Sequence, residues 1–471
     1  MDTSIKEIDK DLLIRPTGDP FADIGGFVIE QLWGIPPHRN KSILELIEYV
    51  TKIYVRYWNA KLHAFFLNSK ITQAAFKGER KIEETLNYYQ RLLEATEPHE
   101  MGFCRIIGHK TELFSSGRDN HMLAGSGTFI NFHHSFQSGL MLSKEVLIRI
   151  LFVPFGALQL SDKIAVLTSN VDQVTKRFVR KNVLDNLSKI GAKSAEGVLR
   201  SEFNNPASAL FDFVHSCISD RFEELVEEEN VEINLYHFTN FGASPEVVLY
   251  NFSSPLFSFY RKVLHRDLVS GWKKFVGKHF YHSKHKNTVY DPQTELFQST
   301  KQKSPVPYEE YKTWINWIYQ NLLNGKSILP AILNWNRQHS FHFNIVILYQ
   351  NHLKHMDNKT LDKIEALAEF IIRDEGRLKS RIGRLNRADK VVEVRRFILS
   401  LIKMNHSEKN EKALLTLEDF VNYLFPDGTS AKEIRDLLLI ALYQKMHENE
   451  IFFEEIDITN DSEDEEKLKN S

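Results

Sequence analysis

The chain has 471 residues, 42% of them hydrophobic and 12% aromatic, at a formal net charge of −2. That length asks for two or three domains, and that apolar content excludes an intrinsically disordered protein. The polar, acidic N-terminus lacks a secretory leader pattern and no run approaches the ~18 apolar residues of a membrane span, so a soluble, cytoplasmic protein is expected.

The first strong element lies in residues 17–34, which open Thr-Gly-Asp-Pro-Phe-Ala-Asp-Ile-Gly-Gly. Asp19 is placed as a helix N-cap with Pro20 at the first helical position. Phe21, Ile24, Val28 and Leu32 then recur at helical spacing up to Gly34. Gly25 and Gly26 each cost about 1 kcal/mol against alanine inside that helix, so a second body is expected to press on its backbone. The sequence leaves two candidates open: a neighbouring helix, or a ligand or nucleic-acid backbone. Further helical patterns cover 41–58, 81–96, 143–157, 171–188 and 206–227, with strand-like runs near 102–108, 163–169, 231–239 and 246–252. Residues 1–286 therefore read as a mixed α+β domain whose strand order is not given. Cys104 and Cys217, the two cysteines of the chain, read as reduced thiols.

Residues 261–286 hold Arg261, Lys262, Arg266, Lys273, Lys274, Lys278, Lys284 and Lys286 against one acid, Asp267. Tyr260, Trp272, Phe275, Phe280 and Tyr281 interleave with them. That composition suits unpaired bases stacking in a cationic groove, or equally core aromatics alternating with a basic surface. His279, His282 and His285 follow at intervals of three without a Cys, Asp or Glu companion, and no metal site is expected.

Residues 287–307 are poor in apolar side chains and contain Pro292, Pro305 and Pro307, so they read as a linker and set the domain boundary. Beyond it the pattern is wholly helical: 308–323, 328–355, 360–386, 388–404, 413–425 and 430–448. A five- or six-helix bundle over 308–450 is predicted, its last helix opening on a capping box of Ser430 and Glu433. In the third of these helices Arg373, Arg377, Arg381, Arg384 and Arg387 recur at spacings of 4, 4, 3 and 3. They share a wedge of about 120°, opposite Ile371, Leu378, Ile382 and Leu385, with Asp374 and Glu375 outside it. An apolar back and an arginine front suit a phosphate backbone bound without sequence preference. A solvated charged face is the alternative, although such faces ordinarily mix signs. Gly376 and Gly383 beside the stripe leave room for close approach. Residues 451–471, with Glu454, Glu455, Asp457, Asp461, Glu463, Asp464, Glu465 and Glu466, are expected to form an acidic, disordered tail.

The Gly-Asp-Pro-Phe-x-Asp-x-Gly opening resembles the large subunit of type I-B CRISPR Cascade, a family described by paired CxxC motifs. Two further stretches resemble it in the same order. One is Gly125–Asn170, with Asn131-Phe132, Phe152-Val-Pro-Phe-Gly-Ala-Leu158 and Ala165-Val-Leu-Thr-Ser-Asn170. The other is Tyr236-His-Phe-Thr-Asn-Phe-Gly-Ala-Ser-Pro245, followed by Tyr250 and Phe257–Tyr260. The chain departs from the family between Gly139 and Val146, where Gly-Leu-Met-Leu-Ser-Lys-Glu-Val stands in place of the first CxxC. Two cysteines are too few for a four-thiolate zinc site, and apolar packing is expected instead.

The resemblance implies a crRNA-guided surveillance complex in which this subunit reads the protospacer-adjacent motif (PAM) in double-stranded target DNA. It also implies that the subunit helps open the strands and recruits a helicase-nuclease. Its implied partners are crRNA, the backbone, crRNA 5′-handle-binding and small subunits, and that helicase-nuclease. Motif reading needs Asn, Gln, Lys or Arg on loops able to enter a groove, which points to Asn131, Phe132 and Gln137 and to Asn240 and Gly242. Plain turn chemistry is the competing account of the last two. The bundle resembles the small-subunit helical module, with its arginines on the displaced strand or the heteroduplex.

No nucleophile elbow, Walker A loop, zinc-protease helix, nuclease metal cluster or dinucleotide loop is present in the sequence. Gly125-Ser-Gly-Thr128 lacks the lysine of a phosphate loop, and His133-His134 has no carboxylate partner placed by sequence. A binding protein without catalytic residues or cofactor is expected. The competing readings are a stand-alone nucleic-acid-binding regulator with a helical interaction domain and a metal-dependent nuclease built on the histidines.

Overall fold

In the computed structural model, which describes residues 8–124, 139–219, 230–240, 246–299, 304–408, 410, 412–426 and 430–453, the Asp19 carboxylate accepts hydrogen bonds from the N–H groups of Phe21 and Ala22. It thereby starts a helix where the sequence places one. The chain divides into two units, Met1–Phe252 and Ser253–Ser471. The first opens with helices α1 (Asp11–Ile14), α2 (Pro20–Gly34), α3 (Ile43–Lys52) and α4 (Glu79–Leu93). An antiparallel meander follows, β1 (His99–Phe103), β2 (Lys110–Ser116) and β3 (Leu140–Ser143), leading into α5 (Lys144–Gly156). Then come β4 (Leu158–Leu160), β5 (Lys163–Ser169), α6 (Asp172–Gly191), β6 (Leu199–Arg200), α7 (Pro206–Ser219), β7 (Ile233–Thr239) and β8 (Glu246–Phe252). These strands form one sheet in the order β6-β4-β5-β7-β8, antiparallel except where β4 meets β6.

The glycine pair has the simpler of its two causes. Helix α5 crosses α2 there, and a Cβ on Gly25 would stand 1.9 Å from the Arg149 carbonyl oxygen, one on Gly26 3.0 Å from that of Leu13. The close neighbour is protein, not a ligand. The Arg149 guanidinium is buried and donates to the carbonyls of Leu12 at 2.8 Å and Arg15 at 2.6 Å, with Asp23 3.6 Å away. Asp23 in turn accepts from the N–H and hydroxyl of Thr17 and the N–H of Gly18. The Gly-Asp-Pro-Phe segment is thus a structural joint, exposed at Gly18, half-buried at Asp19 and Pro20 and buried from Phe21.

The other two motif stretches also build this core. Asn182 and Asn186 of α6 donate to the carbonyls of Gly156 and Phe155, satisfying the last turn of α5. Asn170 bridges from the end of β5 to Asn230 and Glu232 just before β7. Between Gly139 and Val146 the chain forms β3 and the first turn of α5, with Leu142 and Val146 buried. Ser143 caps that helix and its N–H points at the buried Cys104 thiol, 3.4 Å away. Both cysteines are free and buried.

The second unit begins with α8 (Ser254–Val263), α9 (Val269–Lys278) and β9 (Phe280–Tyr281). A hairpin of β10 (Thr288–Asp291) and β11 (Leu296–Ser299) comes next, then α10 (Tyr308–Tyr311), β12 (Ile315–Asn316), α11 (Trp317–Leu323), α12 (Leu329–Asn336) and α13 (Phe343–Leu353). Helices α14 (Asn358–Ile372), α15 (Glu375–Asn386), α16 (Val391–Ser407) and α17 (Ala431–Glu448) complete it. Helix α17 is central: Ile434 through Tyr443 are all buried, which requires neighbours on every side. Together the two units give an α+β protein, with the main sheet in the first and the long helices of the C-terminal region in the second.

The division falls before the basic block, not after it. Residues 287–299 are not an open linker but the β10–β11 hairpin, closed where Asp291 accepts from the Gln293 N–H and the Thr294 hydroxyl. Tyr290 and Phe297 are buried, and the Tyr290 hydroxyl stands where a Cβ on Gly277 of α9 would be. Two long predicted helices are each split: 328–355 into α12 and α13, and 360–386 into α14 and α15 at Arg373-Asp374. The Ser430–Glu433 box is not formed; only the Ser430 backbone carbonyl accepts, from the N–H groups of Glu433 and Ile434. A capping box forms instead at Ser42 and Glu45, opening α3.

Candidate nucleic-acid interface

Helix α15 turns Leu378, Ile382 and Leu385 into the core and leaves Arg377 and Arg384 exposed, with Arg373 before it and Arg387 after it also exposed. Arg381 departs from the predicted stripe. On the helical wheel it is the arginine nearest the apolar side, about 40° from Leu385, and it folds inward. Its guanidinium donates to the Ile371 carbonyl at 3.1 Å, to Asp374 at 2.6 Å and towards the Met404 sulfur. Its side chain is only 11% exposed. Asp374 does not point away from the arginines: it binds Arg381 and lies 3.8 Å from Arg377. The five arginines therefore do not share one continuous helix, and four of them remain on the surface.

Between Arg373 and Met404 there are ten cations and four acids. Three of the acids are engaged inside the unit. Asp374 holds Arg381, Asp389 holds the buried Arg435 at 2.5 Å, and Glu393 accepts from the Lys390 N–H. Arg384 lies 5.8 Å from the ring centroid of Phe397 in α16, across the seam between the two helices. Arg395 and Arg396 of α16 are also exposed, Arg395 lying 5.1 Å from the Phe425 ring. Arg373, Arg384, Arg387, Arg395 and Arg396 form no ion pair among the described residues. Unneutralised guanidinium groups on adjacent helices are suited to phosphate oxygens, which accept their planar N–H groups. Arg395 and Arg396 were missed because their own helix alternates them with Val391, Val392 and Leu399.

The 261–286 block resolves differently. Tyr260, Trp272, Phe275 and Phe280 are all buried, so they cannot stack on bases. Lys262, Arg266 and Lys273 are exposed, while Arg261, Lys274 and Lys278 are half-buried, Lys278 lying 6.0 Å from the Trp335 ring. The block is a basic surface over an aromatic core. Its histidines do not share a helix: α9 ends at Lys278. The ring of His279 gives its Nδ1 hydrogen to the Phe275 carbonyl at 2.7 Å, and burial pushes its pKa down to about 4. His282 and His285 lie against the Trp314 ring instead.

Asn240 is not available to read a base. It is 1% exposed, its N–H donates to the Ala64 carbonyl, and its side-chain amide donates to the carbonyls of Phe65 and Arg118. Asn131, Phe132, Gln137 and Gly242 lie outside the described residues, as do His133, His134 and the acidic run from Glu454. Among the described residues no group of three or more His, Cys, Asp or Glu side chains is placed to hold a metal ion. Among them, too, no helix is long and apolar enough to cross a membrane.

A family described as the DevT C-terminal domain matches residues 334–471. The matched part begins in α12 and includes α15, α16 and α17, and so the basic surface. No curated protein matches the chain.

Proposed function

We propose that this protein is the large subunit of a type I, I-B-like CRISPR RNA-guided surveillance complex. In that role it recognises the PAM in duplex DNA, promotes strand opening and recruits a helicase-nuclease. It works as a binding subunit without catalytic residues of its own, beside crRNA and the other Cascade subunits. The observation that carries the reading is the α15–α16 surface, where Arg373, Arg384, Arg387, Arg395 and Arg396 are exposed with no ion pair among the described residues and three of the four local acids are engaged within the unit. Such a surface fits a nucleic-acid backbone and carries no sequence preference, in keeping with a complex where RNA pairing reads the target. The ordered motif resemblance in the first unit supports the same reading. So does the match to the DevT C-terminal domain, a domain associated with Cascade large-subunit-like proteins.

The test is co-expression of the tagged chain with its neighbouring genes and a repeat-spacer array. Co-purification of crRNA and partner proteins, with target binding that requires this subunit and a flanking motif, is the expected result. In that complex, replacing Arg377, Arg384 and Arg387 by Ala weakens binding to all targets about equally and flattens its salt dependence. A chain that co-purifies with neither crRNA nor partner proteins would instead be a stand-alone regulator.

A further inference from the structure

Resting on the reading that this chain binds nucleic acid, we propose that the outer face of α6, in the first unit, is a second phosphate track and that its ligand is duplex DNA. Helix α6 spans Asp172–Gly191, a rod of about 30 Å. Val174, Phe178, Asn182, Val183 and Asn186 are its buried side. The opposite side presents Gln173, Arg177, Arg180, Lys181, Leu184 and Ser188 within a wedge of about 100°. All are exposed except Arg177, which is half-buried and donates to the Ser216 carbonyl of α7.

The usual reasons for surface cations do not account for Arg180 and Lys181. They stand in the middle of the helix, away from the C-terminal turn where the backbone dipole attracts positive charge; Lys189 is the cation of that turn. Helix-stabilising ion pairs are absent as well. Asp185 is the one acid between Gln173 and Ala192, four residues after Lys181, and neither Arg180 nor Lys181 forms an ion pair among the described residues. Lys176 shows what a structural cation on this helix looks like: it binds Glu30 at 2.9 Å and lies over the Phe27 ring.

The choice of duplex over single strand follows from what the face lacks. Single-strand tracks combine cations with aromatic rings on which bases stack, and this face has no aromatic residue. Its one large apolar side chain, Leu184, is 48% exposed and lies between the cations, where it can pack against sugar. A straight, stiff row of cations suits the regular backbone of a helix already formed.

The test uses the full-length chain and a blunt 30-base-pair DNA, with binding measured across a salt series. Arg180→Gln with Lys181→Gln removes two phosphate contacts. Duplex affinity is expected to fall at least about tenfold, and the slope of log K against log salt to lose about two units. The thermal unfolding midpoint stays unchanged, because both side chains are exposed. Arg384→Gln with Arg387→Gln on α15 is measured in parallel. If the α6 pair leaves duplex binding and slope untouched while the α15 pair lowers them, the α6 track is refuted and the proposed function stands. If neither pair has an effect, or the full-length chain does not bind duplex at low salt, both fall. Loss of single-strand binding with duplex binding intact would overturn the choice of ligand.

Discussion

Arg381 and Arg384 are three residues apart on one helix and have different fates. Arg381 closes the joint between α14 and α15 through Asp374 and the Ile371 carbonyl; Arg384 rides over Phe397 and forms no ion pair among the described residues. A charge-assisted hydrogen bond of this kind is worth about 1.5–3 kcal/mol. Asp374 is 40% exposed, so Arg381→Ala should cost the lower end of that range, seen as a lowered midpoint in denaturant. Arg384→Ala should stay within about 0.5 kcal/mol of the parent while weakening nucleic-acid binding. If the two variants lose stability equally, the division between structural and binding arginines is wrong. His279 offers a second residue-level test. Its folded pKa of about 4 lies below the ordinary value of 6.5, so between those values the unfolded chain holds more protons than the folded one. Its contribution is complete above about pH 6.5 and is lost as the pH falls towards 4, by up to about 3 kcal/mol. His279→Gln, measured by unfolding at pH 7 and pH 4.5, should flatten that part of the profile.

At the scale of elements, α15 carries two glycines that the protein itself does not need. Among the described residues nothing approaches within 4 Å of a Cβ built on Gly383, and only the Asp374 carboxylate comes near one on Gly376, at 3.7 Å. Gly383→Ala should therefore gain about 1 kcal/mol of helix propensity and raise the unfolding midpoint by about 2–4 °C; a lowered midpoint would mean that this backbone is pressed after all. The contrast with Gly25 shows what the sequence could and could not say. It marked both places as sites of close approach, and only the partner, Arg149 more than a hundred residues away, separates them. Periodicity, read with the cap and turn residues that bound it, placed α2, α5, β5 and β8 well: Asp19 and Gly34 bound α2, Ser143 and Gly156 bound α5, Asp162 and Asn170 bound β5, and Ser253 follows β8. It ran through the break at Arg373-Asp374 because apolar spacing continues across it from Ile371 to Leu378. The arginine stripe was legible as a surface, but the inward turn of Arg381 depends on Asp374 and Met404, which no spacing rule connects. Asn240 looked like a loop reader because an Asn-Phe-Gly run is good turn chemistry; its real partners are backbone carbonyls more than a hundred residues away.

The whole molecule divides where its aromatic cores divide. A boundary after residue 286 looked right because composition changes there, from basic and aromatic to polar with prolines. The rings say otherwise. Phe259 meets Tyr349 at 6.0 Å and Trp272 at 5.6 Å, and Phe275 meets Trp335 at 6.1 Å and Phe341 at 5.2 Å. Phe259 and Phe275 thereby tie α8 and α9 to α12, α13 and the segment between them. Phe259, Trp272 and Phe275 are essentially buried, and losing one such ring from a core costs about 3–5 kcal/mol. Together they amount to about 9–15 kcal/mol, comparable to the whole stability of an ordinary domain, about 5–15 kcal/mol. A fragment of residues 253–471 should therefore unfold in a single cooperative step with near-native helix content by circular dichroism. A fragment of residues 287–471, which keeps every helix of the matched DevT C-terminal region, should show exposed apolar surface by dye binding and no cooperative transition. Cooperative unfolding of the shorter fragment would mean that α8 and α9 are ornaments on an independent bundle, and the boundary would move back to the linker that composition suggests.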